Sequence, residues 1–215
     1  MLVSCVDHLT ITAPSLAEGV DYARRALGVA PLAGGAHPRM GTHNCLLKLG
    51  DELFLEVIAI DPAAAAPPRP RWFQLDDTAR QPGLSTWVVR SNDIHAAAAA
   101  CDGATGQIEP MTRGALEWLI TIPSDGSLPL QGLAPALIKW QGAHHPARAL
   151  PDAACALLRL DLFHPDPGRL ADLLCRIGLR GPVAIFALAA GMPAYLRAHI
   201  QTPAGMRQLG GPVAR

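Results

Sequence analysis

The sequence predicts an α+β protein made of repeated β-α-β-β-β units, with a third, partial β-α-(β-β) unit at the C-terminal end. Three observations carry that reading. An alternating strand runs straight into a capped amphipathic helix at three places in the chain. Three further short apolar runs follow each of the first two helices. The first two starts are 78 residues apart, setting Leu16 against Ile94.

The first start is "VDHLTITAPSLAEGVDYARRALG". Strand alternation points Val6, His8, Thr10 and Thr12 to one face and Asp7, Leu9 and Ile11 to the other. Ser15 with Glu18 three residues on makes a capping box, and Gly28 stops the helix. Strands are then expected at about residues 29–33, 42–49 and 53–60. The second start, "LSTWVVRSNDIHAAAAAC", leads to strands at about 107–112, 116–122 and 136–141. The third is "LLRLDLFHPDPGRLADLLCRIGL", 150 to 154 residues after the first, where Asp166 caps and Pro167 suits the first helical turn. The Pro- and Ala-rich stretch "DPAAAAPPRPRWFQLDDTARQPG" reads as a linker, and "QGAHHPARALPDAA" separates the third unit. The expected organisation is a first module over 1–62, a linker over 63–82, a second module over 83–146 and a partial third over 147–215.

Half of the residues are apolar and the formal net charge is zero, which argues against a nucleic-acid or membrane-surface partner. No apolar run approaches the roughly 20 residues of a membrane span. The first residues, "MLVSCVDHLTIT", lack a basic leader and read directly as a strand. Five cysteines, scattered and without a C-x-x-C pair, suit reduced thiols and a cytoplasmic location.

Candidate chemistry gathers around "GGAHPRMGTHNCLLKLG" and "LFLEVIAI". Glu56 lies in the second of these, where an unpaired carboxylate is costly and needs a compensating partner. A tight turn at "LGDE" sets Leu49 against Glu52, hence Cys45 against Glu56, with His43 two residues along on the same face. A one-residue slip would turn His43 to the opposite face. The alternatives for Glu56 are a salt bridge with an arginine or with Lys139. His43 and Asn44 either face the pocket or bond backbone groups at the turn. His37, before Pro38, is a loop residue or a substrate contact. Trp118 and Trp140 form an aromatic wall or pack the core, and Lys139 beside them suits an anionic ligand. "GGAHPRMG" lacks the lysine and following helix of a phosphate cradle, so no nucleotide cofactor is expected.

The segments "DHLTITAPSL", "GGAHPRMGTHNCLLKLGDELFLEVIAID", "MTRGALEWLITIP", "LPLQGLAPALIKWQGAHHP" and "LLRLDLFHPDP" together resemble bacterial glyoxalase-like domain proteins of the vicinal oxygen chelate superfamily. The resemblance implies a curved mixed sheet around a pocket, with metal ligands on the first and fourth strands of each module. In this chain those positions are His8 and Glu56. With His43 they would present two histidines and a carboxylate to a divalent metal, Zn, Ni, Mn or Fe. In the second module Thr86 and a position near Lys139 stand where ligands are usual, so two matching half-sites are not present. Glu117 is the acidic residue there that would act as base beside Glu56. Ligand contacts fall to His37, Asn44, Trp118, Lys139 and Trp140.

The function implied is a metal-dependent lyase, isomerase or dioxygenase acting on a small molecule. The alternative is metal-free binding or sequestration of a small ligand. Two modules in one chain let the sheet close without a partner, with a homodimer as a further option.

Overall fold

The computed structural model describes every residue except Thr78, Ala143, Ala190 and 213–215. The first unit contains β1 (Ser4–Thr12), α1 (Leu16–Leu27), β2 (Leu32–His37), β3 (Thr42–Gly50) and β4 (Leu53–Ile60). The second contains β5 (Gly83–Ser91), α2 (Ile94–Ala100), β6 (Gln107–Arg113), β7 (Leu116–Ile122) and β8 (Ala136–Trp140). A short helix α3 (Pro146–Ala149) follows, then β9 (Ala156–His164), α4 (Pro167–Arg176), β10 (Leu179–Arg180), β11 (Val183–Ala187), β12 (Tyr195–Thr202) and β13 (Gly205–Gly210). Ser15 caps α1 through Glu18 N–H, and Gly28 ends it in the left-handed conformation, φ 75°.

The first two units form one curled half-barrel in the order β2-β3-β4-β1-β5-β8-β7-β6, with β10 added beside β1. The first strands of the units, β1 and β5, lie antiparallel at its centre. The last four-stranded sheet runs β11-β9-β12-β13, with the first strand of the unit in the interior. Its order therefore differs from that of the two full modules.

Alternation along the strands divides the core. Leu9, Ile11, Leu55, Val57, Trp87, Val89 and Leu137 face the helices and the small sheet. Ile58, Val88, Met111, Trp118, Ile120 and Ile138 face the concave side. Helix α1 lies so close to the sheet that a Cβ on Gly19 would meet Val57 at 2.5 Å.

Three local irregularities correct the sequence expectations. The second strand spans Leu32–His37, later than the expected 29–33, because Gly34 and Gly35 together oppose Asn44 in a bulge. A Cβ at Gly34 would overlap Asn44 Oδ1, so glycine is required there. His37 thus ends a strand and is buried, where a loop position was expected.

In the β3–β4 hairpin Leu49 is an extra, unpaired residue, since Lys48 faces Phe54 and Gly50 faces Leu53. That bulge slips the register by one, so Leu46 opposes Glu56, and not Cys45. In β1 the pairing jumps between Val6 and His8, leaving Asp7 as the bulged residue. Val6 consequently joins Leu9 in the core, and strict alternation through Asp7 is lost.

The same irregularity recurs in β5, where the jump between Thr86 and Leu84 leaves Ser85 as the extra residue. Asp7 and Ser85 are 78 residues apart, the spacing of the sequence repeat. The register also corrects the position matching Glu56. Thr10 faces Glu56 across β1–β4, and Val88 faces Ala136 across β5–β8. The same 78-residue step carries Thr10 to Val88, so Ala136, not Lys139, matches Glu56.

The segment 63–82 is more than a linker. Trp72–Gln74 forms a short 3-10 turn whose Trp72 and Phe73 are buried in the concave side. Among the described residues no helix is long and apolar enough to cross a membrane, and all five cysteines are free thiols.

Candidate active site

The floor of the concave pocket is built around the Asp7 bulge. A bulge lets two consecutive side chains reach the same neighbourhood, which a regular strand forbids. Asp7 Oδ1 lies 2.7 Å from His8 Nδ1. Asp7 Oδ2 accepts from Trp140 Nε1 at 3.0 Å and pairs with His145 Nε2 at 3.1 Å. Arg90 Nη1 stands 3.7 Å away.

Asp7 is fully buried. Burial, the largest influence, raises its carboxyl, but hydrogen bonds from His145 and His8 with their positive charge outweigh it and hold the group far below the usual carboxylate range. The carboxylate therefore accepts a hydrogen bond from His8 Nδ1–H and turns Nε2 toward the pocket. That nitrogen lies 3.7 Å from Glu56 Oε2, and the imidazole stacks on Phe54 with ring centres 4.5 Å apart.

A second set of bonds fixes Glu56 from the other side. Asn44 Nδ2 donates to Glu56 Oε1 at 2.6 Å. Asn44 Oδ1 accepts from Gly35 N–H at 2.9 Å and from Arg113 Nη1 at 3.1 Å. Arg113 Nη1 also lies 3.1 Å from His37 Nε2, which must accept, so His37 Nδ1–H donates to Thr42 Oγ1 at 3.1 Å. Burial, helped by Arg113 and against the pull of Glu56, pushes the His37 pKa down to about 4. His37 is a neutral strut near neutral pH.

The walls are aromatic. Trp118 and Trp140 sit with ring centres 5.3 Å apart, and Trp72 stacks on Phe73 at 5.5 Å. Phe73 and Gln74 hold φ of 56° and 55°, a left-handed backbone that costs non-glycine residues on the order of 1–3 kcal/mol each. Trp72 Nε1 is buried without a hydrogen-bond partner among the described residues. With this turn in place the pocket has a volume of about 30 Å³, enough for one or two waters.

Six of the residues expected from sequence line this pocket: His8, His37, Asn44, Glu56, Trp118 and Trp140. His43 does not; it pairs with Ala59 in the hairpin and falls on the face opposite to Asn44 and Glu56, because of the Leu49 bulge. Glu117 is exposed on the outer side of β7. Lys139 shares the helix side of β8 with Leu137, and its Nζ donates to Asn92 O at 3.2 Å.

Sequence reasoning missed Asp7, Arg113 and the Trp72–Phe73 turn, and it placed His145 only within the stretch that separates the third unit. The His145 imidazole caps the short helix that follows, accepting from Ala147 N–H, and reaches Asp7 as well. The signal for Asp7 was its adjacency to His8. For Arg113 there was none, since its site lies across the sheet from its own module.

A divalent metal, as the superfamily resemblance implies, would have to use His8 Nε2 and Glu56. The remaining donors do not complete a shell. His37 Nε2 faces the Arg113 guanidinium, Asn44 Oδ1 is taken, and the matching positions Thr86 and Ala136 supply no imidazole or carboxylate. Among the described residues no group of three His, Cys, Asp or Glu side chains is placed to hold a metal. These residues do not fit the four-ligand centre.

Comparisons with known proteins agree with the architecture. A hypothetical protein from Staphylococcus aureus superposes with TM-score 0.55 at 11% identity, covering 96% of this chain and 84% of that one. That likeness shows the fold. Methylmalonyl-CoA epimerase from Streptomyces coelicolor gives TM-score 0.43 at 19% identity, covering 66% of this chain and 97% of that one. The Mycobacterium tuberculosis methylmalonyl-CoA epimerase gives 0.41 at 17% identity, with 65% and 88% covered. No curated protein matches the sequence. The family model described as "Glyoxalase-like domain" matches residues 6–178, so the chain belongs to the glyoxalase-like domain family, within the vicinal oxygen chelate superfamily.

Proposed function

We propose that the concave pocket is an acid–base site for a small oxygen-bearing substrate, moving a proton at a carbon next to a carbonyl in an isomerase- or lyase-type step. The observation that carries this reading is the Asp7–His8–Glu56 line, with contacts of 2.7 and 3.7 Å inside a buried pocket. Asp7 holds the imidazole so that Nε2 faces the pocket, as a carboxylate does behind a catalytic histidine. His8 Nε2 takes the proton. Glu56, fixed by Asn44, stabilises the imidazolium so formed, and His8 Nε2–H returns the proton to the substrate at its new position. Arg113, the cation on the opposite wall, polarises the carbonyl oxygen and holds the negative charge that develops on it. The metal-dependent lyase or dioxygenase reading would place the ion between His8 and Glu56; with two donors it lacks the support that the acid–base reading has.

The test is hydrogen–deuterium exchange of α-protons, followed by NMR, over a panel of small 2-oxo acids and hydroxyketones. Exchange should occur with at least one compound and fall by about a hundredfold or more in His8→Gln. A second reading, sequestration of a ligand without turnover, is favoured by the ring wall of Phe54, Trp72, Trp118 and Trp140. No exchange across the panel, with tryptophan fluorescence still responding to the compounds, would replace the first reading by the second.

A further inference from the structure

A second cleft lies outside the half-barrel, between the 63–82 segment, the loop after β7 and the last sheet. Its volume is about 720 Å³, against about 30 Å³ for the pocket at His8. Leu128, Tyr22 and Tyr195, all partly exposed, supply an apolar surface along it, whereas Leu84 and Leu196 are almost wholly buried, and Gln81, Ser127 and Gln131 supply amides and hydroxyls. Gln131 Oε1 accepts from Ala194 N–H at 3.2 Å and ties the two sides together.

Arg80 projects into this cleft and is half-buried. Its bonds go to neutral acceptors, Gln74 Oε1 at 3.0 Å and Thr12 Oγ1 at 3.5 Å. Among the described residues no carboxylate lies within 4.0 Å of it. Three other partly buried arginines of the half-barrel have carboxylate partners, Arg69 with Glu109, Arg71 with Asp76 and Arg90 with Glu52, whereas Arg113, in the pocket at His8, is likewise held on neutral acceptors. Desolvation of Arg80 is offset only by the more distant charge of Asp77. A guanidinium held on neutral acceptors beside an open apolar surface carries charge that an incoming anion can pair, with bidentate geometry.

We propose that this cleft is a second ligand site, taking an amphipathic organic anion with its carboxylate or phosphate end on Arg80 and its apolar body along Tyr22, Leu128 and Tyr195.

The test is isothermal calorimetry on the full chain with octanoate, octyl phosphate and uncharged octanol. Saturable one-to-one binding of at least one charged probe is expected, with octanol weaker by about tenfold or more. Whichever charged probe binds better names the end group. Arg80→Gln should weaken that binding by about tenfold or more, while Arg80→Lys retains part of it. Ala194→Trp, which puts an indole into the cleft, should abolish it, and Arg113→Gln in the half-barrel should leave it intact. The proposal is overturned if neither charged probe saturates up to about 10 mM, if octanol binds equally well, or if folded Arg80→Gln and Ala194→Trp both bind like the parent.

Discussion

The two full modules share a backbone plan down to the position of a bulge, yet they furnish the concave pocket with different side chains. At the bulge of β1 stands Asp7, and at the bulge of β5 stands Ser85. Where the first module has His8 and Glu56, the second has Thr86 and Ala136. Thr86 Oγ1 simply donates to Gly132 O at 3.1 Å, and Trp87 Nε1 to Leu133 O at 2.9 Å. The second module contributes instead through Arg113, Trp118 and Trp140, which reach the first module's residues from the facing wall. A repeated fold therefore supplies geometry twice, while chemistry is assigned position by position.

The contrast is most sharply tested at the bulges. Asp7→Ala leaves His8, His145 and Trp140 facing a missing acceptor in the interior, and chemical denaturation should show a loss on the order of 3–5 kcal/mol. Ser85→Ala removes only contacts to Thr12 Oγ1 and Gly83 O, and should cost less than about 1 kcal/mol. Similar losses at the two positions would remove the asymmetry.

Acid should expose the same difference with a smaller effect. The His37 pKa of about 4 lies below the ordinary histidine value of 6.5, so between those values the unfolded chain binds a proton that the folded chain refuses. Stability should be full above about pH 6.5 and fall by about 3 kcal/mol as pH drops to 4. The part held by Asp7, whose carboxyl is depressed, stays until pH falls below its ordinary value of 3.8. His37→Asn should flatten the upper limb; an unchanged pH profile in that variant would show that the limb comes from other groups.

The smallest effects belong to Glu117 and Lys139. Because both point away from the pocket, Glu117→Gln and Lys139→Gln should each shift stability by no more than about 0.5 kcal/mol and leave α-proton exchange unchanged. A marked loss of exchange in either would require a different pocket.

Legibility followed the range of the interaction. Caps at Ser15 and Asp166, the period-two strands and the 78-residue repeat depend on neighbours in sequence, and they were readable. Glu56 was readable because a carboxylate within "LFLEVIAI" needs an explanation wherever the strand packs. His43 was misplaced by a single unpaired residue, Leu49, since a shift of one turns every following side chain over. The Trp72–Phe73 turn was hidden in a Pro-rich segment whose composition resembles a linker.

By itself the sequence determined the module pattern and the superfamily resemblance, and it singled out His8 and Glu56, which the fold sets 3.7 Å apart. Tertiary structure alone decided that Asp7 stands behind His8, that Arg113 crosses from the other module, and that an aromatic turn fills the pocket. The reason is physical: alternation and capping are local, whereas a bulge, a cross-sheet guanidinium and a strained turn exist only where distant strands fix the register between them.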